Sequence, residues 1–88
     1  KDTLTIGKLY NNIAACHNLI GNYPKSIEYY LKSLKLSEKV KDDEGIIMAS
    51  GNIGLVYYYT KNYPESERYL KAGLYSAEKT KNKYPQAE

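Results

Sequence analysis

Apolar residues recur along this chain at steps of three and four. In one segment they fall at Tyr23, Ile27, Tyr30, Leu31 and Leu34, and in another at Tyr63, Leu70, Leu74 and Ala77. That spacing lays a single apolar stripe along a helix, and the strict alternation of a half-buried strand is absent. Both segments open on Asn-Tyr-Pro, at 22–24 and 62–64. Proline suits a first helical turn, where its missing N–H would have no partner in any case, and Glu28, Glu65 and Glu67 follow near the positive end of the helix dipole. Pro24 and Pro64 therefore mark helix starts. The preceding segments, about 4–20 and 44–60, carry a second pair of helical stripes: Leu9, Tyr10, Ile13, Ala14 and His17, then Ala49, Ser50, Ile53, Gly54 and Tyr57. Turns of about two residues, Gly21-Asn22 and Lys61-Asn62, join each pair and force antiparallel neighbours. The pattern predicts an all-α chain of two helix-turn-helix hairpins.

The hairpins are copies of one another. Sliding the chain by 40 residues aligns 12–41 with 52–81 without a gap, with eleven of thirty positions identical, among them Asn12/Asn52, Ile13/Ile53, Tyr29/Tyr69 and Leu34/Leu74. Self-similarity at a fixed period is the mark of a repeat array. Repeat 1 is assigned to 3–42 and repeat 2 to 43–82, and 83–88 is expected to begin a further first helix. Small residues also recur in register: Ala14 with Gly54, Ser26 with Ser66, and Ser33 with Gly73. A glycine inside a helix costs about 1 kcal/mol relative to alanine, so Gly54 and Gly73 imply close backbone approach.

The order Ile53-Gly54, Tyr57, Asn62-Tyr63, Ser66, Leu70, Gly73 resembles the tetratricopeptide repeat, and Ile13-Ala14, His17, Gly21-Asn22-Tyr23, Ser26, Tyr30, Ser33 resembles it equally. The resemblance covers nearly the whole chain and implies a right-handed α-α superhelix. Two features depart from the family's common form: His17 stands where an aromatic is usual, and the period is six residues longer than usual. The longer spacing and the Asn-Ile-Ala/Asn-Ile-Gly signature are similar to the branch found in bacterial transcriptional regulators, peptide-sensing regulators and sensor kinases, where such arrays bind peptides or proteins.

Length and composition agree. Eighty-eight residues, 42% of them hydrophobic, make one small domain, and a chain of this size buries only roughly 60% of its unfolded surface. Repeat hairpins bury their apolar faces against the next unit, so two of them are expected to be barely stable or to associate end to end into homo-oligomers. Lys1 in place of Met is what a fragment of a larger protein would show. Nothing resembles a leader or a membrane span, and no membrane partner is expected. A lone Cys16 excludes an internal disulfide and favours a reducing, cytoplasmic setting, with a periplasmic sensor region as the alternative. Eleven tyrosines without Phe or Trp mean that every large aromatic carries a hydroxyl needing water or a partner, as in half-exposed grooves.

In the family the resemblance points to, first helices line the concave groove. The residues offset from the Ile13/Ala14 and Ile53/Gly54 stripe, expected to be buried, are then the candidate peptide- or protein-binding set: Lys8, Asn11, Asn12 and Asn18 in the first copy, and Asn52, Leu55, Tyr58 and Tyr59 in the second. Asn12 and Asn52 lead it, because a side-chain amide can pair with a peptide backbone irrespective of sequence. The competing reading has both simply bonding a neighbouring helix or turn. Tyr57, Tyr58 and Tyr59 are spread around the helix, so Tyr57 is expected inward and the other two toward the groove. The competing reading packs Tyr58 and Tyr59 against a following repeat.

Enzyme readings fare badly. Cys16 and His17 are adjacent on a helix and point about 100° apart, with no orienting carboxylate beside them. No metal motif or phosphate loop occurs, and no cofactor is expected. His17 reads as an aromatic substitute, and Asp42-Asp43-Glu44 as a helix cap rather than a calcium site. The net charge of +3 names no partner. Twelve of the thirteen basic residues are Lys and fall mainly on second helices, an emphasis unsuited to base recognition, so a nucleic-acid partner is not expected. Single-stranded RNA binding is the less favoured reading; the main alternative to ligand recognition is a structural spacer or dimerisation element.

Overall fold

The computed structural model describes residues 3–83 and contains four α-helices, α1 (Thr3–Leu19), α2 (Tyr23–Lys39), α3 (Asp43–Tyr59) and α4 (Tyr63–Lys83). The all-α architecture of two helix-turn-helix hairpins is as the sequence predicts. Helix starts recur every 20 residues, and each of the first three helices is 17 residues long. Pro24 lies in the first turn of α2, where Asn22 Oδ1 accepts from the Lys25 N–H at 3.4 Å. Asp42 occupies the cap position of α3 without a capping side-chain bond; Asp43 and Glu44 supply the acidic first turn that the helix dipole favours.

The three corners are built alike. Asn22 N–H donates to His17 O at 2.8 Å, Asp42 N–H to Ser37 O at 2.8 Å and Asn62 N–H to Tyr57 O at 2.9 Å, each spanning five residues. The residue before each donor has positive φ: Gly21 at 83°, Lys41 at 58° and Lys61 at 65°. A left-handed residue followed by this closing bond is the Schellman ending of a helix, which satisfies otherwise orphaned carbonyls. Two of the three corners place lysine where glycine would be free of strain.

Helix α1 packs along α2, α3 along α4, and α2 against α3; α1 and α3 meet only over a short stretch. The buried core joins Ala14 of α1, Tyr30 and Leu34 of α2, and Ala49, Ile53 and Val56 of α3. Small residues bring the helices together as expected. A Cβ placed on Gly54 would lie 2.7 Å from the Leu70 side chain, and one on Gly73 would lie 3.4 Å from Ser50 Cβ. Ser66 Oγ donates to Gly54 O at 2.8 Å, and Ser33 Oγ to Gly7 O at 3.0 Å.

Two features differ from the sequence expectation and a third makes it specific. Ile13 is 40% exposed whereas its match Ile53 is fully buried, because α2 covers α3 on that face and no described element covers α1 there; only Ala14 of that pair is buried. Tyr63, Leu70 and Leu74, read from the sequence as one apolar face, are exposed for the same reason at the other end, where two hairpins leave an apolar face uncovered. Finally, α4 runs through Thr80, Lys81 and Asn82, the counterparts of the Val40–Asp42 corner, up to Lys83. Among the described residues no helix follows to pack back on it, so no tertiary contact offsets breaking the helix there. The further helix start expected at 83–88 otherwise lies outside the described residues.

Candidate functional site

A cleft of about 270 Å³ opens between α1 and the start of α3, floored by the C-terminal half of α2. Its apolar surface comes from Leu4, Leu36, Val40 and Met48, and its polar edges from Lys8, Asn11 and Asn12 on one side and Asp42 and Glu44 on the other. Gly45 lets the start of α3 sit against the end of α2, since a Cβ there would run into the Ser37 hydroxyl and the Asp42 carboxylate. The cleft is thus a concave strip with an apolar base, an amide-rich wall and opposite charges on its two rims. Such a strip can hold an extended segment: apolar side chains enter the base while the amides meet the segment's backbone.

The structure divides the sequence-derived candidates into two groups. Lys8, Asn11 and Asn12 come together in the cleft, with Lys8 and Asn12 exposed. Asn52 is half-buried, and its Nδ2 donates to Asn11 Oδ1 at 3.3 Å, tying the two first helices together. The recurrence of Asn12 and Asn52 therefore conceals different settings, one open and one already bonded. Asn18, Leu55, Tyr58 and Tyr59 do not line this cleft. Asn18 holds a buried Oδ1 without a hydrogen-bond partner near the first corner, and Leu55 and Tyr59 are exposed elsewhere on their helices. Tyr58 lies against Tyr63, ring centroids 5.6 Å apart, on a surface shared with Leu70 and Leu74.

Sequence reasoning missed Leu36 and Val40, because it credited second helices only with their main stripe. Both lie off that stripe near the end of α2, and their apolar character there was the available signal.

Two matched pairs of rings join first helices to second helices. His17 stacks on Tyr29 at 5.8 Å and 12°, and its match Tyr57 stacks on Tyr69 at 5.9 Å and 24°, so histidine fills the aromatic place as anticipated. Burial pushes the Tyr57 hydroxyl pKa up, with neighbouring Tyr69 and Glu65 adding to the shift and Arg68 opposing it. Arg68 is held by Glu65, with Nη2 2.8 Å from Oε1, and lies over the Tyr69 ring. Among the described residues, no group of three or more His, Cys, Asp or Glu gathers that could hold a metal ion, and no helix is long and apolar enough to cross a membrane.

Comparison with curated proteins and with solved structures gives no match. A family model described as Tetratricopeptide repeat matches residues 5–79, a span that enters all four helices and includes the three corners. Paired antiparallel helices, small residues at the crossings and a concave surface lined by first helices are thus joined by a match over most of the chain: it belongs to the tetratricopeptide repeat family, whose fold serves as a module for protein–protein interaction.

Proposed function

We propose that this chain is a non-catalytic recognition module of a bacterial regulatory or signalling protein, and that it holds an extended peptide segment of its partner in the α1/α3 cleft. The observation that carries this reading is the convergence of Lys8, Asn11 and Asn12 over an apolar base containing Met48 and Val40. In this arrangement Asn12 pairs with the peptide backbone, an apolar side chain enters over Met48, and Lys8 attracts a carboxylate. Asn52 acts indirectly by holding Asn11 in place. Two hairpins offer a short groove, so the affinity of these residues alone is modest.

The test compares capture from source lysate by the wild-type chain and by Asn12→Ala and Met48→Glu variants of unchanged helicity and melting temperature. Both side chains are exposed, so neither change disturbs the core. Loss of the same captured protein by both variants supports the reading. Unchanged capture moves the function out of the cleft and favours a structural spacer or dimerisation element.

A further inference from the structure

Charge is distributed differently on the two kinds of helix. Helices α2 and α4 mix acids with bases and pair some of them along their own length: Lys25 with Glu28, Glu65 with Arg68 and Glu67 with Lys71. The two helices that border the cleft each carry a single sign. Within Thr3–Leu19, α1 has Lys8 and no acidic residue, and within Asp43–Tyr59, α3 has Asp43 and Glu44 and no basic one. Lys8 and Glu44 thus have no opposite charge on their own helices, and among the described residues neither enters an ion pair. Asp42, at the cap position of α3, makes no capping bond with its side chain and no ion pair either. Lys8 stands on one rim of the cleft, Asp42 and Glu44 stand on the other, and the apolar base of Leu4, Leu36, Val40 and Met48 lies between them. Unpaired charges of opposite sign held apart across an apolar floor are complemented by a ligand that brings both counter-charges at once. We infer that the cleft reads charge order, taking an extended segment with a carboxylate for Lys8, an apolar side chain for the base, and a lysine or arginine for Asp42 and Glu44; this rests on the peptide-binding reading above.

The geometry also fixes the spacing. An extended chain sends alternate side chains to one face and advances about 3.3 Å per residue, so positions i, i+2 and i+4 face the cleft together over about 13 Å. Packed helices lie about 8–10 Å apart, and the cleft opens between two that meet only over a short stretch, so a segment crossing from rim to rim needs that span. The acid and the base therefore sit four positions apart with the apolar residue midway, and the two intervening residues point away from the cleft. A segment with the wrong sign at either rim sets like charges together, so the rims act chiefly by refusing wrong sequences. Lys8 and Glu44 are exposed, so each charge contributes modestly and is screened by salt.

Selection of displayed random nine-residue peptides on the 88-residue chain at low salt tests it, with peptides that no longer bind the Met48→Glu variant counted as cleft ligands. These should carry the acid-x-apolar-x-base pattern, in either chain direction. Lys8→Glu, at unchanged helicity, should weaken a selected peptide roughly threefold to tenfold, and replacing that peptide's acid with lysine should restore its binding. Moving the peptide's base by one position turns it to the opposite face and should weaken binding to the wild-type chain by a similar factor. Cleft ligands that share no charge pattern, or that bind equally well after the one-residue shift, overturn the inference and leave the cleft as a peptide site. A selection that yields no peptide sensitive to Met48→Glu overturns the peptide-binding reading, and the inference with it.

Discussion

Tyr30 and Leu34 on α2 occupy the same places in the repeat as Leu70 and Leu74 on α4, yet the first pair is buried and the second is open to solvent. Leu34 and Leu74 are the same residue in the same register on the same kind of helix. What separates them is α3, which covers the first pair and has no counterpart over the second among the described residues. Burial at these positions is conferred by the neighbouring hairpin, and the repeat sequence specifies a surface that completes itself only when another unit is stacked on it. The same holds for Ile13 and Ile53 on the first helices.

That comparison can be broken most forcefully at the isoleucines. Ile53→Ala removes a fully buried side chain at the hairpin junction and should cost about 2–5 kcal/mol, whereas Ile13→Ala, at a site already 40% exposed, should cost less than about 1.5 kcal/mol. Urea unfolding of the two variants measures the gap. Equal losses would mean that the two sites are covered alike in solution.

The glycines of α3 sharpen the comparison at the level of single contacts. Gly54→Leu forces a side chain into the Leu70 contact and should destabilise by about 1–3 kcal/mol, in part recovered by Leu70→Ala. Three residues earlier, Gly51 has nothing within 4 Å of where its Cβ would lie, so Gly51→Ala should stabilise by up to about 1 kcal/mol. Thermal melts of the pair should move in opposite directions.

The smallest effect is one of pH, and it separates Tyr30 from Leu70, which has no proton to lose. Burial raises the Tyr30 pKa above the ordinary tyrosine value of about 10. The folded state therefore keeps its proton when the unfolded chain releases it. The stability linked to this group is fully present below about pH 10 and is lost as pH rises toward the folded value. Tyr57 contributes in the same direction. Tyr30→Phe should flatten the alkaline fall in stability measured by urea unfolding, and Leu70→Ala should leave its slope unchanged.

Much of the fold was legible because the relevant signals are local. Asn-Tyr-Pro marks the starts of α2 and α4, helical spacing marks the stripes, and Gly54 announces a close crossing that the Leu70 contact explains. The exposure of Ile13 and Leu74 was not legible in the same way, since pattern reports which face is apolar and carries no record of what lies opposite. The cleft was half legible. Lys8, Asn11 and Asn12 follow from the resemblance, which puts first helices along the groove, but the base includes Leu36 and Val40 at the end of α2, off that helix's main stripe. Tyr58 could be placed only once the edge-on contact with Tyr63 across the last corner was known. The lysines in left-handed conformation, Lys41 and Lys61, carry no composition signal of their own; Gly21 at the first corner was the hint, aligned with Lys61 by the 40-residue repeat and with Lys41 only by a comparison at 20 residues.

Those corners have a consequence for what counts as a unit. The closing bond and the left-handed residue are the same at 20–22 and 60–62, inside hairpins, as at 40–42, between them. The backbone therefore draws no line between one repeat and the next, and its natural measure is a single rod with an elbow, laid down three times in succession. Grouping the rods in pairs is the work of side chains alone: serine-to-carbonyl bonds and stacked rings recur between α1 and α2 and between α3 and α4, while Tyr30 and Leu34 meet Ala49, Ile53 and Val56 between α2 and α3. The seam between repeats is therefore written in the side chains and leaves no trace in the elbows.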